Sequence, residues 1–388
     1  YESSRGCPFN CEFCLSSTIK GLRYLPIDRV KRELDTLIGM GVKQVKFVDR
    51  TFNAKKDYSM EIMKHILVKN PKDINFHFEV TAHLIDEHQL DFFKGVREGL
   101  FQFEIGVQST NPNTIEAIGR TTDFEKLKEV SMKIKSFNNI HQHLDLIVGL
   151  PYEDYKSFEE SFNGIYSIGP EKIQLGFLKL LKGSGLRTLR EKYGFKFLNK
   201  APYEILENKY ITYDEIIRLK GIEEMVERYY NEEFFKNTLN YVIGKYFISP
   251  FKFYEELSQY FVERGLFEIS HSRAKLYGIL YGFLEDRLSS DLTLIKELLR
   301  FDYILNNTDR RIPREINNGI TIDASRIHQL LKDEYCLSLL PENLRLIPTK
   351  QLLKKTTIAL FNINILDFVE SGYNKDAEAI ESIMLFYH

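Results

Sequence analysis

Tryptophan is absent from the 388 residues, cysteine occurs four times, and neither sign of charge predominates. Lys and Arg number 53 against 55 Asp and Glu, a formal net charge of −2. Each shortage excludes something. Balanced charge removes a bulk electrostatic grip on nucleic acid or an anionic membrane, so neither is expected as a partner. Charges interrupt every hydrophobic stretch, and no apolar run approaches the roughly 20 residues of a membrane span. Four cysteines in a chain this long do not make a disulfide framework. Low-complexity tracts and short repeats are also missing. What is present is 43% hydrophobic and 28% charged, ordinary for a soluble chain with a real core. At roughly 150 residues per domain, the length suggests two or three domains.

The chain opens Tyr1-Glu2-Ser3-Ser4 and reaches Cys7 at once. No charged-then-apolar leader is visible, so no secretory signal is expected, and we read the chain as a fragment whose upstream part is missing. Cys7, Cys11 and Cys14 lie within eight residues, while Cys336 stands alone. Clustered thiols suggest a metal or cluster, hence a reducing, cytoplasmic compartment. Cys336 reads as a small buried hydrophobe.

From Tyr1 to about Leu198 short strand-like runs alternate with longer helical patterns. Val45–Asp49, Asn75–Val80, Phe101–Gln108, Gln142–Gly149 and Lys172–Lys179 are the strand candidates. Between them lie amphipathic stretches such as Ile27–Ile38, whose Val30, Leu34, Leu37 and Ile38 share a helical face. A short strand before Cys7 brings the count to six βα units, which argues for a parallel sheet, open or rolled into a partial barrel.

Side-chain alternation decides between these. Central strands of an open, doubly covered sheet should read nearly all apolar. Here Phe76, Phe78 and Val80 oppose Asn75, His77 and Glu79. Phe101, Phe103, Ile105 and Val107 oppose Gln102, Glu104, Gly106 and Gln108. Leu144, Leu146 and Val148 oppose His143 and Asp145, and Gln174 and Gly176 oppose Ile173, Leu175 and Phe177. Any one half-exposed strand would alternate; four among crossover helices imply a curved sheet with helices outside and a polar concave face inside. Ionisable groups there need partners, so a polar or charged ligand is expected to fill the concavity. His77 and His143 read as hydrogen-bonded fillers of that face.

After about residue 200 the pattern turns helical and rich in aromatics. Asp214–Phe235, Pro250–Arg264, Ser270–Leu288 and Asp291–Leu305 read as helices and Thr357–Ile365 as a late strand. The boundary is set at Asn199-Lys200-Ala201-Pro202, giving an α/β domain over 1–199 and a helical domain over 200–388.

Cys7-Pro8-Phe9-Asn10-Cys11-Glu12-Phe13-Cys14 spaces its thiols as C-x3-C-x2-C on one loop. Three thiolates there can hold three irons of a four-iron cluster and leave the fourth open to a small ligand. A structural zinc would want a fourth ligand, usually from a second C-x2-C or a His pair, and the nearest histidine is His65. At these residues the sequence resembles the radical S-adenosylmethionine (radical SAM) enzymes, whose signature is C-x3-C-x-aromatic-C, with Phe13 at the aromatic position. The flanking Ser4-Arg5-Gly6-Cys7-Pro8-Phe9 is similar to their cobalamin-dependent branch.

The resemblance covers about residues 1–190 and implies a partial (β/α)6 barrel with a [4Fe-4S] cluster on Cys7, Cys11 and Cys14. It implies that Val48-Asp49-Arg50-Thr51-Phe52 contacts the methionine amino group, Asp49 included, and that Glu79 makes a polar contact to S-adenosylmethionine. It also implies Gln108 and Asp145 near the ribose and Arg120 at the methionine carboxylate. Arg120 has a rival role, capping or pairing with the helix that begins near Asp123. Gly183-Ser184-Gly185-Leu186 reads as a turn rather than a phosphate loop.

Beyond residue 200, Ala201-Pro202-Tyr203-Glu204 and Arg300-Phe301-Asp302-Tyr303 resemble a helical domain that follows cobalamin-binding and radical SAM domains in relatives. The resemblance implies reductive cleavage of S-adenosylmethionine to start radical chemistry, with a flavodoxin- or ferredoxin-like electron donor. Three readings stay open: a cobalamin-dependent methyltransferase acting on an unreactive carbon, with cobalamin held upstream; a cobalamin-independent oxidase or mutase; and a non-catalytic cluster or haem carrier on the same barrel.

Overall fold

Five parallel strands stand side by side in chain order: β1 (Gln44–Lys46), β2 (Asn75–Val80), β3 (Phe101–Gln108), β4 (His141–Val148) and β5 (Lys172–Phe177). The coordinates are a computed structural model and describe residues 1–18, 21–307, 311–320, 322–375 and 382–387. Helix α1 (Ile27–Gly39) precedes β1. Between the strands come α2 (Lys56–Lys69), α3 (Glu87–Lys94), α4 (Pro112–Ala117), α5 (Phe124–Ser136) and α6 (Tyr155–Tyr166). A strand order without reversal sends every right-handed crossover over the same face. The helices therefore cover one side, and the sheet curls into a half-barrel. Several helices begin on a side-chain cap: Asp86, Asn111, Asp123 and Asp154 each accept a first-turn backbone N–H, satisfying donors the helix cannot.

The alternation seen in sequence is the burial pattern observed. Phe101, Phe103, Ile105 and Val107 are fully buried beneath the helices, while Gln102, Glu104 and Gly106 are half-buried on the concave face. Phe47, Phe52 and Phe78 form the aromatic centre of the core at one edge, Phe52 and Phe78 with ring centroids 4.3 Å apart.

The expected sixth strand departs from that plan. Ser4–Arg5 is a strand, but it pairs antiparallel with Arg23–Tyr24 in a separate ribbon. Tyr1 runs beside β1 instead: its amino group donates to the Lys46 carbonyl (2.8 Å) and its carbonyl accepts from Val48 N–H (2.9 Å). The sheet proper thus has five strands, because the chain turns off its edge at Ser4 to deliver the cysteine loop.

The chain divides into two compact units, Tyr1–Asn231 and Glu232–His388. The first includes the small hairpin Lys196–Phe197/Ile205–Glu207 and α7 (Tyr213–Met225), which passes into a π-helical turn at Val226–Asn231. There Asn231 donates to Ile173 O and accepts from Ile173 N–H, tying the turn to β5. The helix expected to run unbroken to Phe235 ends at this widened turn.

The second unit contains α8 (Lys236–Tyr246), α9 (Pro250–Glu263), α10 (Arg273–Arg287) and α11 (Leu292–Asn306), with an antiparallel pair of β6 (Thr356–Phe361) and β7 (Ser382–Tyr387). Asp302, buried in α11, accepts from Asn237 and Thr238 and so caps α8. Cys336 is half-buried rather than buried, since its helix Glu334–Ser338 buries none of its residues.

Candidate active site

The cysteine loop is fixed by backbone contacts on both sides. Glu12 N–H donates to Ile118 O (2.9 Å) and Glu12 O accepts from Leu186 N–H (2.8 Å), so the turn at Gly183–Leu186 serves as a clamp. Gly119, at φ 68°, lets the loop come close: a Cβ there would lie 2.9 Å from Asn10 O. Asp49 anchors the loop's entry. Its buried carboxylate accepts from Ser3 N–H (3.0 Å), Ser3 Oγ (2.7 Å) and Ser4 Oγ (2.5 Å).

The three thiols are free, Cys11 buried and Cys7 and Cys14 half-buried. Cys7 Sγ lies 3.5 Å from Thr51 Oγ1, Cys14 Sγ accepts from Ser16 N–H at 3.4 Å, and Arg120 Nη1 stands 4.0 Å from Cys11 Sγ. Burial pushes the Cys11 thiol up, against the pull of the Arg120 cation. Among the described residues no three Cys, His, Asp or Glu side chains converge as ligands of one ion, which does not suit a single zinc. The thiols instead border a space, as cluster ligands must when each binds a different iron.

That space is a cleft of about 730 Å³ at the concave face of the sheet. Phe13, Glu79, Gln108, Arg120 and Asp145 line it together with the three cysteines. Asp49 does not. The sequence reading places Asp49 at the cofactor, but its carboxylate is turned to Ser3 and Ser4, and Arg50 and Thr51 of the same segment face the cleft instead. Nor does Arg120 cap α5, a task Asp123 performs. Its guanidinium donates to Gly106 O (2.9 Å) and to Thr122 Oγ1 (3.1 Å).

Gln108 reaches the cleft through a β-bulge. The register between β3 and β4 shifts between Gly106 and Gln108, and Gln108 sits in the left-handed region at φ 72°, which re-aims its side chain. Behind it Glu153 is buried, accepting from Ser161 Oγ (2.9 Å) and bonded to Ser109. Burial raises it to about 7, although both serines pull the other way.

Charge is distributed unevenly across the floor. Glu104 is held down at about 2 by its bond to His77 and by Lys46, whose nitrogens lie 2.9 Å and 3.0 Å from its carboxylate. Gln102 bridges toward His77 and His143, and burial lowers His143 to about 4. Asp145 is the opposite case. Burial, then the nearby Glu104 and Glu79 charges, raise it well above the usual carboxylate range, and its buried Oδ1 has no hydrogen-bond partner among the described residues. Glu79 is raised by burial and by Glu104. A buried carboxylate oxygen without a partner is a vacancy for a donor, so hydroxyl or ammonium groups of a ligand fit this wall and an anionic group fits Arg120. Arg50 and Thr51 belong to the segment that the sequence reading placed at the methionine amino group, whereas Glu104 escaped it as a site residue, though it was legible as facing the cavity, since it alternates with Phe103 and Ile105.

Residues 1–164 match the radical SAM superfamily, and residues 191–386, half the chain, match the DUF4080 family of proteins of unknown function. The chain belongs to the DUF4080 family and carries a radical SAM domain over residues 1–164. That domain implies an iron–sulfur cluster and S-adenosylmethionine, and the residues around the cleft fit the pair: three free thiols, an unpaired buried carboxylate oxygen and a guanidinium. The radical SAM chain is 23% identical over 300 residues to the 2-(S-pantetheinyl)-carbapenam-3-carboxylate methyltransferase of Streptantibioticus cattleyicolor, covering 68% of this chain and 42% of that protein. It is 23% identical over 293 residues to the cobalamin-dependent radical SAM methyltransferase TokK of Streptomyces tokunonensis, with the same coverages. The chain thus spans less than half the length of these relatives. Among solved structures, the cobalamin-dependent S-adenosylmethionine radical enzyme OxsB with aqua-cobalamin bound aligns at a TM-score of 0.47 and 13% identity, covering 78% of this chain and 53% of that one. No helix among the described residues is long and apolar enough to cross a membrane.

Proposed function

We propose that the chain carries the radical-generating half-barrel of a cobalamin-dependent radical SAM methyltransferase acting on an unreactive carbon. The observation that carries this reading is the cleft where Cys7, Cys11 and Cys14 face Glu79, Gln108, Arg120 and Asp145. Cys7, Cys11 and Cys14 would hold a [4Fe-4S] cluster there, which would supply the electron for reductive cleavage of S-adenosylmethionine. The chain's own groups orient and enclose. Arg120, fixed by its bond to Gly106 O, receives the methionine carboxylate. Gln108 and Asp145 take the ribose hydroxyls, and Asp145 in its protonated state can also donate. Glu79 and Glu104 offset the sulfonium charge, and Phe13 shields the thiols from water. A flavodoxin- or ferredoxin-like protein delivers the electron. The methyl-transfer half of the reading is supported by the two methyltransferase relatives.

Anaerobic reconstitution with iron and sulfide, reduction in the presence of S-adenosylmethionine, and mass spectrometry with and without added cobalamin test it. Deoxyadenosine together with cobalamin-dependent S-adenosylhomocysteine supports methyl transfer. Deoxyadenosine alone favours a cobalamin-independent radical enzyme. Neither product from an intact, reducible cluster would leave a non-catalytic carrier.

A further inference from the structure

The second unit holds a cavity of its own, a partly open space of about 900 Å³ lined from α11, β6 and Ile312, Ile320, Ile322 and Ile327. Its lining is of a different kind from the cleft of the first unit. Among the described residues six isoleucines contribute and no aromatic residue does, in a chain where aromatics make up 13%. Branched aliphatic walls complement a flexible hydrocarbon better than a flat ring. The walls are also backed. Ile327, Leu353 and Ile358 pack on their far side against a buried cluster of Leu331, Leu340, Leu344 and Leu352, so they cannot collapse into the cavity without opening that core.

One charged group enters this lining. Arg300 is 3% exposed, and its Nη1 donates to Leu360 O, but its buried Nε–H has no hydrogen-bond partner among the described residues. Glu297 stands behind it, with Oε2 3.6 Å from Nη1, an ion-pair distance too long for a hydrogen bond. The other Glu297 oxygen accepts from Asn318 (2.9 Å) and Asn362 (3.0 Å). The pair balances in charge while leaving Arg300 Nε–H and Glu297 Oε2 each without a hydrogen-bond partner among the described residues, and a buried donor without an acceptor is costly. Arg300 and Ile304 follow one another at i and i+4 on the cavity side of α11, and Asn307, extended just past the helix end, continues the lining.

We propose that this cavity binds a medium-chain acyl ligand, with its carbonyl or carboxylate oxygen on Arg300 Nε–H and its hydrocarbon along Ile304 toward Asn307. Because Glu297 already compensates the cation, the head group needs an acceptor oxygen and not a full charge, so a free fatty acid and an esterified acyl group share the required chemistry. The site is independent of the radical reaction and stands whether or not methyl transfer is confirmed.

Calorimetric titration of the chain with decanoate and, separately, with methyl decanoate tests the assignment. Saturable one-to-one binding is expected. Arg300→Lys, which keeps the cation and removes the Nε–H, should weaken it at least tenfold. Ile320→Trp fills the cavity from a half-buried wall position and should weaken binding at least tenfold with an unchanged melting temperature, so the test survives if the arginine variant folds poorly. Binding of decanoate alone assigns a free acid, and binding of both probes assigns an esterified acyl group as well. Absence of saturable binding by both probes, unaltered affinity in Arg300→Lys, or unaltered affinity in Ile320→Trp overturns the proposal.

Discussion

The side-chain amide of Gln108 folds back over Gly106 so closely that a Cβ at position 106 would lie 2.2 Å from its nitrogen. Gly106 is thus the space in which Gln108 turns toward the cleft, and its carbonyl is the acceptor that holds Arg120.

Gly106→Ala should therefore act on ligand binding more than on folding. The atom displaced is the end of a flexible side chain, and alanine in a strand costs less backbone entropy than glycine. We expect an unchanged melting temperature and about tenfold weaker S-adenosylmethionine binding, equivalent to about 1.4 kcal/mol, measured by equilibrium dialysis on the reconstituted protein. Full affinity would remove Gln108 from the binding wall.

Cys11→Ala should abolish stable cluster binding. The side chain is small and buried, so the fold should persist while iron per chain and visible absorbance after anaerobic reconstitution fall to background. Retained cluster with continued cleavage of S-adenosylmethionine would sink the assignment of the three-thiol loop.

Asp49 offers a way to separate anchoring from cofactor contact. Asp49→Asn leaves one oxygen to serve three donors and should cost about 3 kcal/mol, on the scale of hydrogen bonds to a charged group. The expected result is a lower melting temperature and poorer iron retention, with S-adenosylmethionine affinity per loaded cluster unchanged. Selective loss of that affinity would instead return Asp49 to the cofactor.

Glu153 predicts a pH effect whose sign follows from its burial. Its carboxyl holds a proton to about 7 in the folded chain against an ordinary value of 4.5. Between those values the folded state binds more protons than the unfolded one, so stability declines as pH rises from about 4.5 to about 7 and levels off above. The full decline is about 3 kcal/mol. Glu153→Gln should flatten melting temperature against pH across that window, and a profile identical to the parent chain would refute the account.

Much of the first unit was legible before any coordinates. Strand pleating repeats every two residues, so Phe101, Phe103, Ile105 and Val107 had to oppose Gln102, Glu104 and Gly106 wherever the strand lay. Four such strands among helices were enough for a curved sheet with a polar inner face. The spacing of Cys7, Cys11 and Cys14 is equally local, because three thiols on one short loop stay together in any fold. The count of strands in the sheet was not local: whether Ser4–Arg5 joins β1 or Arg23–Tyr24 depends on which edge lies within hydrogen-bonding reach.

Asp49 and Asp145 mark the limit most clearly. Asp49 follows β1 and Asp145 lies within β4, and both were placed at the cofactor from a family likeness. In the fold one carboxylate accepts three hydrogen bonds from Ser3 and Ser4, while the other lines the cleft with a buried oxygen unpartnered. The sequence alone determined that each strand has a polar face and that three thiols share a loop, since those follow from the repeat of the chain. Only the tertiary structure decided what each polar group meets, because partners come from segments brought together across tens of residues by packing that no local period encodes.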